Sequence, residues 1–197
     1  MEEFYDRQKT LNINRKQSVA LVGCGGIGFW VAKFLILSGI EELYPFDPDC
    51  FEEHNLNRID IPVTMVGKNK ADVVKLMATN LRPEIRCIPF PFPFSETFSN
   101  KVDWIIDCTD IQKAQEKNQE IANKRGIKYF KAGYDGENFS IHNSVAMWGE
   151  APDGYVVIPS WVVPAVIIAA MAVAKIMKYP DAEVVSSVKG IFNAQRI

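Results

Sequence analysis

A short, mostly apolar run from Ser18 to Val22 breaks into Gly23-Cys24-Gly25-Gly26-Ile27-Gly28, and helical spacing then runs from Phe29 to Ser38, where Gly39 stops it. Strand, glycine turn and helix in that order commit the chain to an α/β fold. Glu42-Leu43-Tyr44-Pro45-Phe46 reads as a second strand ending at Asp47, which completes a βαβ unit of the usual length. Each glycine has a use: Gly23 lets the chain turn sharply, Gly25 and Gly26 let backbone approach a phosphate, and Gly28 lets the helix pack closely. The N–H groups that open the helix then face the anion.

Alternation continues downstream. Residues 49 to 67 are mostly polar and read as a long loop with a turn of helix. Val73, Val74, Met77 and Leu81 mark one face of a helix from Lys68 to Leu81, ended by Pro83. Ile85 to Ile88 reads as a third strand. Pro89-Phe90-Pro91-Phe92-Pro93-Phe94 follows, an extended ribbon with three phenylalanines on one side, and its prolines suit it to covering an edge of the core. Trp104 to Ile106 reads as a strand, Ile111 to Arg125 as a polar helix stopped by Gly126, and Lys128 to Ala132 as another strand. Ser140 to Trp148 is expected to add antiparallel strands before an apolar helix from Val162 to Lys178. The predicted fold is a Rossmann-like, mainly parallel sheet with helices on both faces, extended by those strands and that helix.

The chain has 197 residues, 48% of them hydrophobic, enough for one core, and a single domain over residues 1–197 is expected. A net charge of −2 with both signs interleaved argues against nucleic acid as a partner, and the small basic cluster at Lys68 and Lys70 does not change that. Cys24, Cys50, Cys87 and Cys108 are far apart, with no CxxC pair and two histidines in all, so a structural zinc site is not expected and the thiols read as reduced. The acidic start, MEEFYDRQKT, lacks the features of an export signal. The uncharged stretch from Tyr155 to Ala174 is divided by Pro159 and Pro164, and reads as a core or dimer-interface helix rather than a membrane span. A cytoplasmic location without membrane contact is expected.

The glycine loop alone indicates a nucleotide and no more, since dehydrogenases, methyltransferases and others share it. The charges after it discriminate. Asp47, at the end of the second strand, is placed to reach ribose hydroxyls or to serve as a turn residue before Pro48. Asp49, Asn55, Asn57 and Arg58 follow within a few residues, then Lys70 at a helix start, and Arg58 and Lys70 suit the neutralisation of triphosphate oxygens. Asp110, after the strand at 104–106, could bind magnesium or cap the next helix.

With these motifs in order, the chain resembles the ubiquitin-activating-enzyme-like adenylyltransferases that include ThiF and MoeB. The resemblance runs from Tyr5-Asp6-Arg7-Gln8 through the glycine loop, Asp47-Pro48-Asp49, Asn55-Leu56-Asn57-Arg58 and Gly67-Lys68-Asn69-Lys70 to Asp107-Cys108-Thr109-Asp110. It implies an enzyme that uses ATP and Mg2+ to activate the C-terminal carboxylate of a ubiquitin-like (β-grasp) protein or peptide as an acyl adenylate, releasing pyrophosphate. Carried over by motif, Asp47 holds the ribose, Arg58 and Lys70 the phosphates and Asp110 the metal. Arg7 acts in trans on the partner's triphosphate in a homodimer.

Three departures stand out. Ile59 and Ile111 replace the family's usual Gln and Asn, and the segment from Tyr134 to Trp161, where many relatives carry a catalytic cysteine, has none. The paired zinc-binding cysteines are also missing, so no thioester on this protein is expected, and the adenylate would pass to a separate acceptor or carrier protein. Competing readings are activation of a small molecule or a tRNA-attached carboxylate, a non-catalytic subunit of a ThiF-type heterodimer, and an ordinary NAD-dependent oxidoreductase.

Overall fold

A computed structural model describes residues 2–145 and 159–193. Seven strands, β1 (Ser18–Val22), β2 (Glu42–Phe46), β3 (Arg86–Cys87), β4 (Trp104–Asp107), β5 (Lys128–Asp135), β6 (Asn138–His142) and β7 (Val184–Ser187), form one sheet in the order β3-β2-β1-β4-β5-β6-β7. The first five are parallel, while β6 and β7 are antiparallel; β6 overlaps the start of the antiparallel region expected from Ser140, and β7 lies outside it. Residues 146–148 of that expected strand region, and the start of the apolar stretch at 155–158, lie outside the described residues.

The helices are α1 (Gly26–Ser38), α2 (Lys70–Leu81), α3 (Gln112–Arg125), α4 (Val162–Met177) and α5 (Val188–Asn193). Alternation along each strand decides which helix covers which face. Val19, Leu21, Ile106, Phe130 and Ala132 point to one side and pack with Val31, Leu35 and Ile36 of α1, Val74 and Ala78 of α2, and Ile168 and Ala172 of α4. Ala20, Val22, Tyr44, Ile105 and Tyr129 point to the other and pack with Ile121 and Ala122 of α3. None of the described helices is long and apolar enough to cross a membrane.

The proline-rich ribbon covers its share of the second face. Phe90 stacks on Phe46 with ring centres 4.5 Å apart, and Phe94 and Phe98 meet the same ring edge-on at 5.0 and 5.1 Å. Phe92 departs from the expected one-sided row, remaining 48% exposed at the rim. Regular pairing of β3 stops at Cys87, one residue before the expected end, although Phe90 bridges to Phe46 beyond it. Proline at alternate positions supplies no N–H to continue the ladder.

Sheet order places a topological switch between β1 and β4, whose neighbours lead away in opposite directions. Ligands of open α/β sheets bind in the crevice that opens there, at the carboxyl ends of the strands.

Candidate functional site

Every predicted site residue except Arg7 comes from a segment that leaves a strand at this carboxyl edge or enters the helix behind it. Gly23 adopts φ +87°, and a Cβ there would lie 3.1 Å from the carbonyl carbon and oxygen of Cys108, so the loops after β1 and β4 touch at this point. A Cβ on Gly28 would overlap the carbonyl oxygen of Gly23 at 1.8 Å, which forces glycine where α1 folds back over the turn. Gly25 faces open space, with nothing within 4 Å of its added Cβ. The first N–H groups of α1 have no partner inside the helix, so this opening is where an anion would be received.

Asp47 is 5% exposed and fixes the loop from below. Its Oδ2 accepts from the Cys24 N–H (2.7 Å) and its Oδ1 from the Asp49 N–H (2.9 Å). Burial raises its pKa above the ordinary carboxylate value, against the lowering effect of the two N–H donors and of Lys70. Asp47 is thus a loop-holding carboxylate, and each oxygen has one further acceptor position for a ribose hydroxyl.

The segment after Asp49 is a loop closed at its neck. Phe51 N donates to Lys68 O (2.9 Å), Gly67 N donates to Phe51 O (2.8 Å), and Cys50 bridges to Asn69. Asn55 is buried in a capping box, its Oδ1 accepting from the Glu52 N–H (3.1 Å), so it shapes the loop. Ile59 gives the departure at that position a physical reason: it is buried with Phe29, Phe51 and Val73 and pins the loop to α1 and α2.

Arg58 is aimed at the start of α1 from this loop. Trp30 Nε1 donates to its carbonyl (2.8 Å), and its Nη1 donates to His54 O and Asn57 Oδ1, both at 2.9 Å. Its Nε lies 3.1 Å from the point where a Gly26 Cβ would be. Lys70, 13% exposed in its side chain, pairs with Asp49 Oδ2 at 3.1 Å, while Asp49 itself is 68% exposed. Asn69, quoted in the motif but given no role from sequence, joins the two halves. Its Oδ1 caps α2 by accepting from Ala71 and Asp72, and its Nδ2 donates to the carbonyls of Asp47 (2.9 Å) and Asp49 (3.0 Å).

Asp107, which ends β4, and Asp110, which follows it, divide the work. Asp107 is fully buried and accepts from Thr109 N (3.0 Å), Thr109 Oγ1 (2.6 Å), Asn118 Nδ2 (2.8 Å) and Tyr129 OH (3.2 Å). Asp110 is exposed. It does not cap α3: the cap position is Ile111, 64% exposed and without a side-chain cap bond, which corrects the capping alternative and leaves Asp110 free for a ligand. No group of three or more metal-binding side chains gathers among the described residues. Asp110 fits Mg2+ all the same, because that ion commonly takes one or two carboxylates and completes its shell with phosphate and water.

Arg7 stays apart from this cluster. Its helix, a 3-10 segment over Glu2–Leu11, is anchored through Tyr5 at Gly39, the far end of α1 from the glycine loop. α1 has 13 residues, a length of about 20 Å. The four cysteines are free thiols, and burial raises the pKa of Cys24 and Cys108 and pushes Cys87 up to about 12.

The model of the ThiF family matches residues 3–147, close to three quarters of the sequence. The chain belongs to the ThiF family. Ubiquitin-like modifier-activating enzyme 5 of Bombyx mori is 27% identical over 152 residues, covering 70% of this chain and 39% of that protein. The Arabidopsis thaliana enzyme of the same name is 26% identical over 156 residues, 69% of this chain and 36% of that one. The ThiF-family chain thus spans less than two fifths of the length of these curated relatives. Among solved structures, PaaA superposes with a TM-score of 0.75 at 23% identity, covering 95% of this chain and 70% of that one. E. coli MccB with ATP gives 0.74 at 19% identity, covering 89% and 61%. These likenesses support the same fold.

Proposed function

We propose that this ThiF-family chain is an ATP-dependent adenylyltransferase, a single adenylation domain over residues 1–197, acting on the C-terminal carboxylate of a ubiquitin-like protein or peptide. The observation that carries it is the convergence of Arg58 on the start of α1, with the Lys70–Asp49 pair and exposed Asp110 on the same sheet edge. The names of its relatives agree with a modifier-activating reaction, and MccB has been crystallised with ATP and with the peptide MccA.

The reaction is attack by a carboxylate oxygen on the ATP α-phosphorus: an acyl–phosphate bond forms, the bond to the bridging α–β oxygen breaks, and pyrophosphate leaves. The approach brings two anions together. Arg58 and the α1 amides lower that repulsion at the phosphate, and Lys70 exchanges Asp49 for phosphate oxygens. Asp47 orients the nucleotide by the ribose while it holds the loop. Asp110 would hold Mg2+, whose chemistry is to shield phosphate charge. Arg7 reaches the triphosphate of a partner subunit, since its anchorage keeps it from its own loop. The sequence offers no cysteine between Tyr134 and Trp161, so the adenylate passes to a separate acceptor without a thioester on this protein. Free, partly buried thiols suit a cytoplasmic setting.

The test is exchange of labelled pyrophosphate into ATP in the presence of magnesium and β-grasp proteins or peptides. Exchange that depends on the carboxylate partner supports the reading, and ATP binding without exchange for any partner refutes it. That second outcome would favour a nucleotide-binding or partner-binding subunit.

A further inference from the structure

Two side chains without a part in the adenylation scheme meet over the glycine loop. Tyr134, near the end of β5, packs against the core shared by α1 and α4. Its hydroxyl reaches the start of α1: the Cβ position of Gly26 is 2.9 Å from the phenol oxygen and 3.1 Å from Arg58 Nε. Phenol and guanidinium thus flank one backbone position beside the opening at Gly25. The phenol is hydrogen-bonded to the Ser160 hydroxyl. Ser160 is held from a second side, its carbonyl accepting from Asn57 Nδ2 at 2.8 Å. Gly136 N donates to Pro159 O (3.0 Å) and Trp161 Nε1 to Gly136 O (3.2 Å), which fixes the backbone on either side of Ser160.

We propose that Tyr134 is a ligand-binding group of the nucleotide site, which releases Ser160 and donates its hydrogen bond to a phosphoryl oxygen seated on the first amides of α1. The inference rests on the adenylation reading only in placing a phosphate there. A phenol has one proton and can serve one acceptor at a time. An anionic phosphoryl oxygen is a stronger acceptor than a neutral hydroxyl, so the exchange runs toward the ligand. Room for that oxygen exists over Gly25, and Arg58 on the other flank supplies the charge that holds it there. Ser160, released, keeps its backbone bond to Asn57.

The deciding measurement is calorimetric titration of ATP with magnesium into wild type, Tyr134→Phe and Ser160→Ala, with a tyrosine ultraviolet difference spectrum recorded on nucleotide addition. Tyr134→Phe keeps the ring in the core and is expected to weaken binding about 10-fold, the loss of one hydrogen bond to a charged group, and to lose the spectral change. Ser160→Ala is expected to bind as wild type or up to about threefold tighter, because a competing hydrogen-bond partner of the phenol is gone. Wild-type affinity in Tyr134→Phe overturns the proposal, as does an equal loss in Ser160→Ala, which would make the phenol a tether for Ser160. A wild type that does not bind ATP overturns it together with the adenylation reading. If ATP binds with the expected pattern yet no carboxylate partner supports exchange, the adenylation reading fails and the role of Tyr134 stands.

Discussion

Tyr5 fills the space that a side chain on Gly39 would need, for a Cβ there would lie 2.6 Å from two carbons of the ring. Gly39 also ends α1 in the left-handed conformation, at φ +79°. The ring is gripped on other sides by Arg15, 4.0 Å from its centre, and by a 2.9 Å bond from its hydroxyl to Glu84. Gly39→Ala is therefore expected to cost about 1–3 kcal/mol through backbone strain alone, with the clash added, and to expose the N-terminal helix to proteolysis. Tyr5→Phe loses only the Glu84 bond, about 1 kcal/mol. Thermal melting and protease digestion of both variants check the order.

Asp107 and Asp110 stand three residues apart and should respond oppositely to mutation. Asp107→Ala leaves Thr109, Asn118 and Tyr129 without their shared acceptor in the core, and an expected loss of about 3 kcal/mol or more follows from breaking a buried network. Asp110→Ala removes an exposed side chain that caps nothing. Its melting temperature is expected to match wild type while pyrophosphate exchange falls by about 100-fold or more, the scale of removing one charge-stabilising group.

Asn69→Ala is expected to act on both stability and affinity. Loss of the α2 cap costs about 1 kcal/mol, seen in denaturant unfolding. Loss of the two bonds to the Asp47 and Asp49 carbonyls frees the turn that holds Asp47 beside the glycine loop and Asp49 beside Lys70. The Kd for ATP should rise several-fold, whereas a purely structural cap would leave it unchanged.

What the sequence made legible was local chemistry under strong constraint. The glycine loop could be read because Gly23 and Gly28 have conformations or neighbours that a side chain cannot share, and β1, β2 and β4 because their apolar runs end at polar turns. β7 and α5 escaped notice, since Val184–Ser187 and Val188–Asn193 carry little burial and so no strong pattern. Tyr134, Ser160 and Lys131 were invisible for another reason. Their meaning comes from strand register and from a contact between residues 26 apart, neither of which leaves a motif. Ile111 shows the opposite limit: it fits the expected helix start, yet only the structure reveals that this cap position holds a residue with no capping group.

Lys131 gives a pH-dependent prediction. It pairs in register with Asp107 and is buried under the α3 face, where desolvation lowers its pKa more than Asp107, Cys108 and Asp110 raise it. A lysine whose folded pKa lies below its ordinary 10.5 penalises the folded state while protonated, and the penalty lifts as pH rises from the folded value toward 10.5. Lys131→Met is expected to be more stable than wild type at pH 7, read as a higher melting temperature, because the net cost of the buried charge is gone. That advantage should shrink in titrations carried toward pH 10.5. An advantage that is flat or grows with pH would contradict the assignment.

The anchorage of the Arg7 helix at the far end of α1 makes the in-trans role open to a mixing experiment. Arg7→Ala and Lys70→Ala are each expected to lose pyrophosphate exchange by about 100-fold without loss of stability from Arg7, an exposed residue. Dissociated and reassembled together, they would form mixed dimers in which one site combines Arg7 from the Lys70→Ala subunit with Lys70 from the Arg7→Ala subunit. Random pairing makes half the dimers mixed, each with one complete site, so exchange should recover to roughly a quarter of the wild-type rate. If Arg7 served its own chain's site, the same mixed dimer would contain no complete site and the mixture would stay as inactive as its parents.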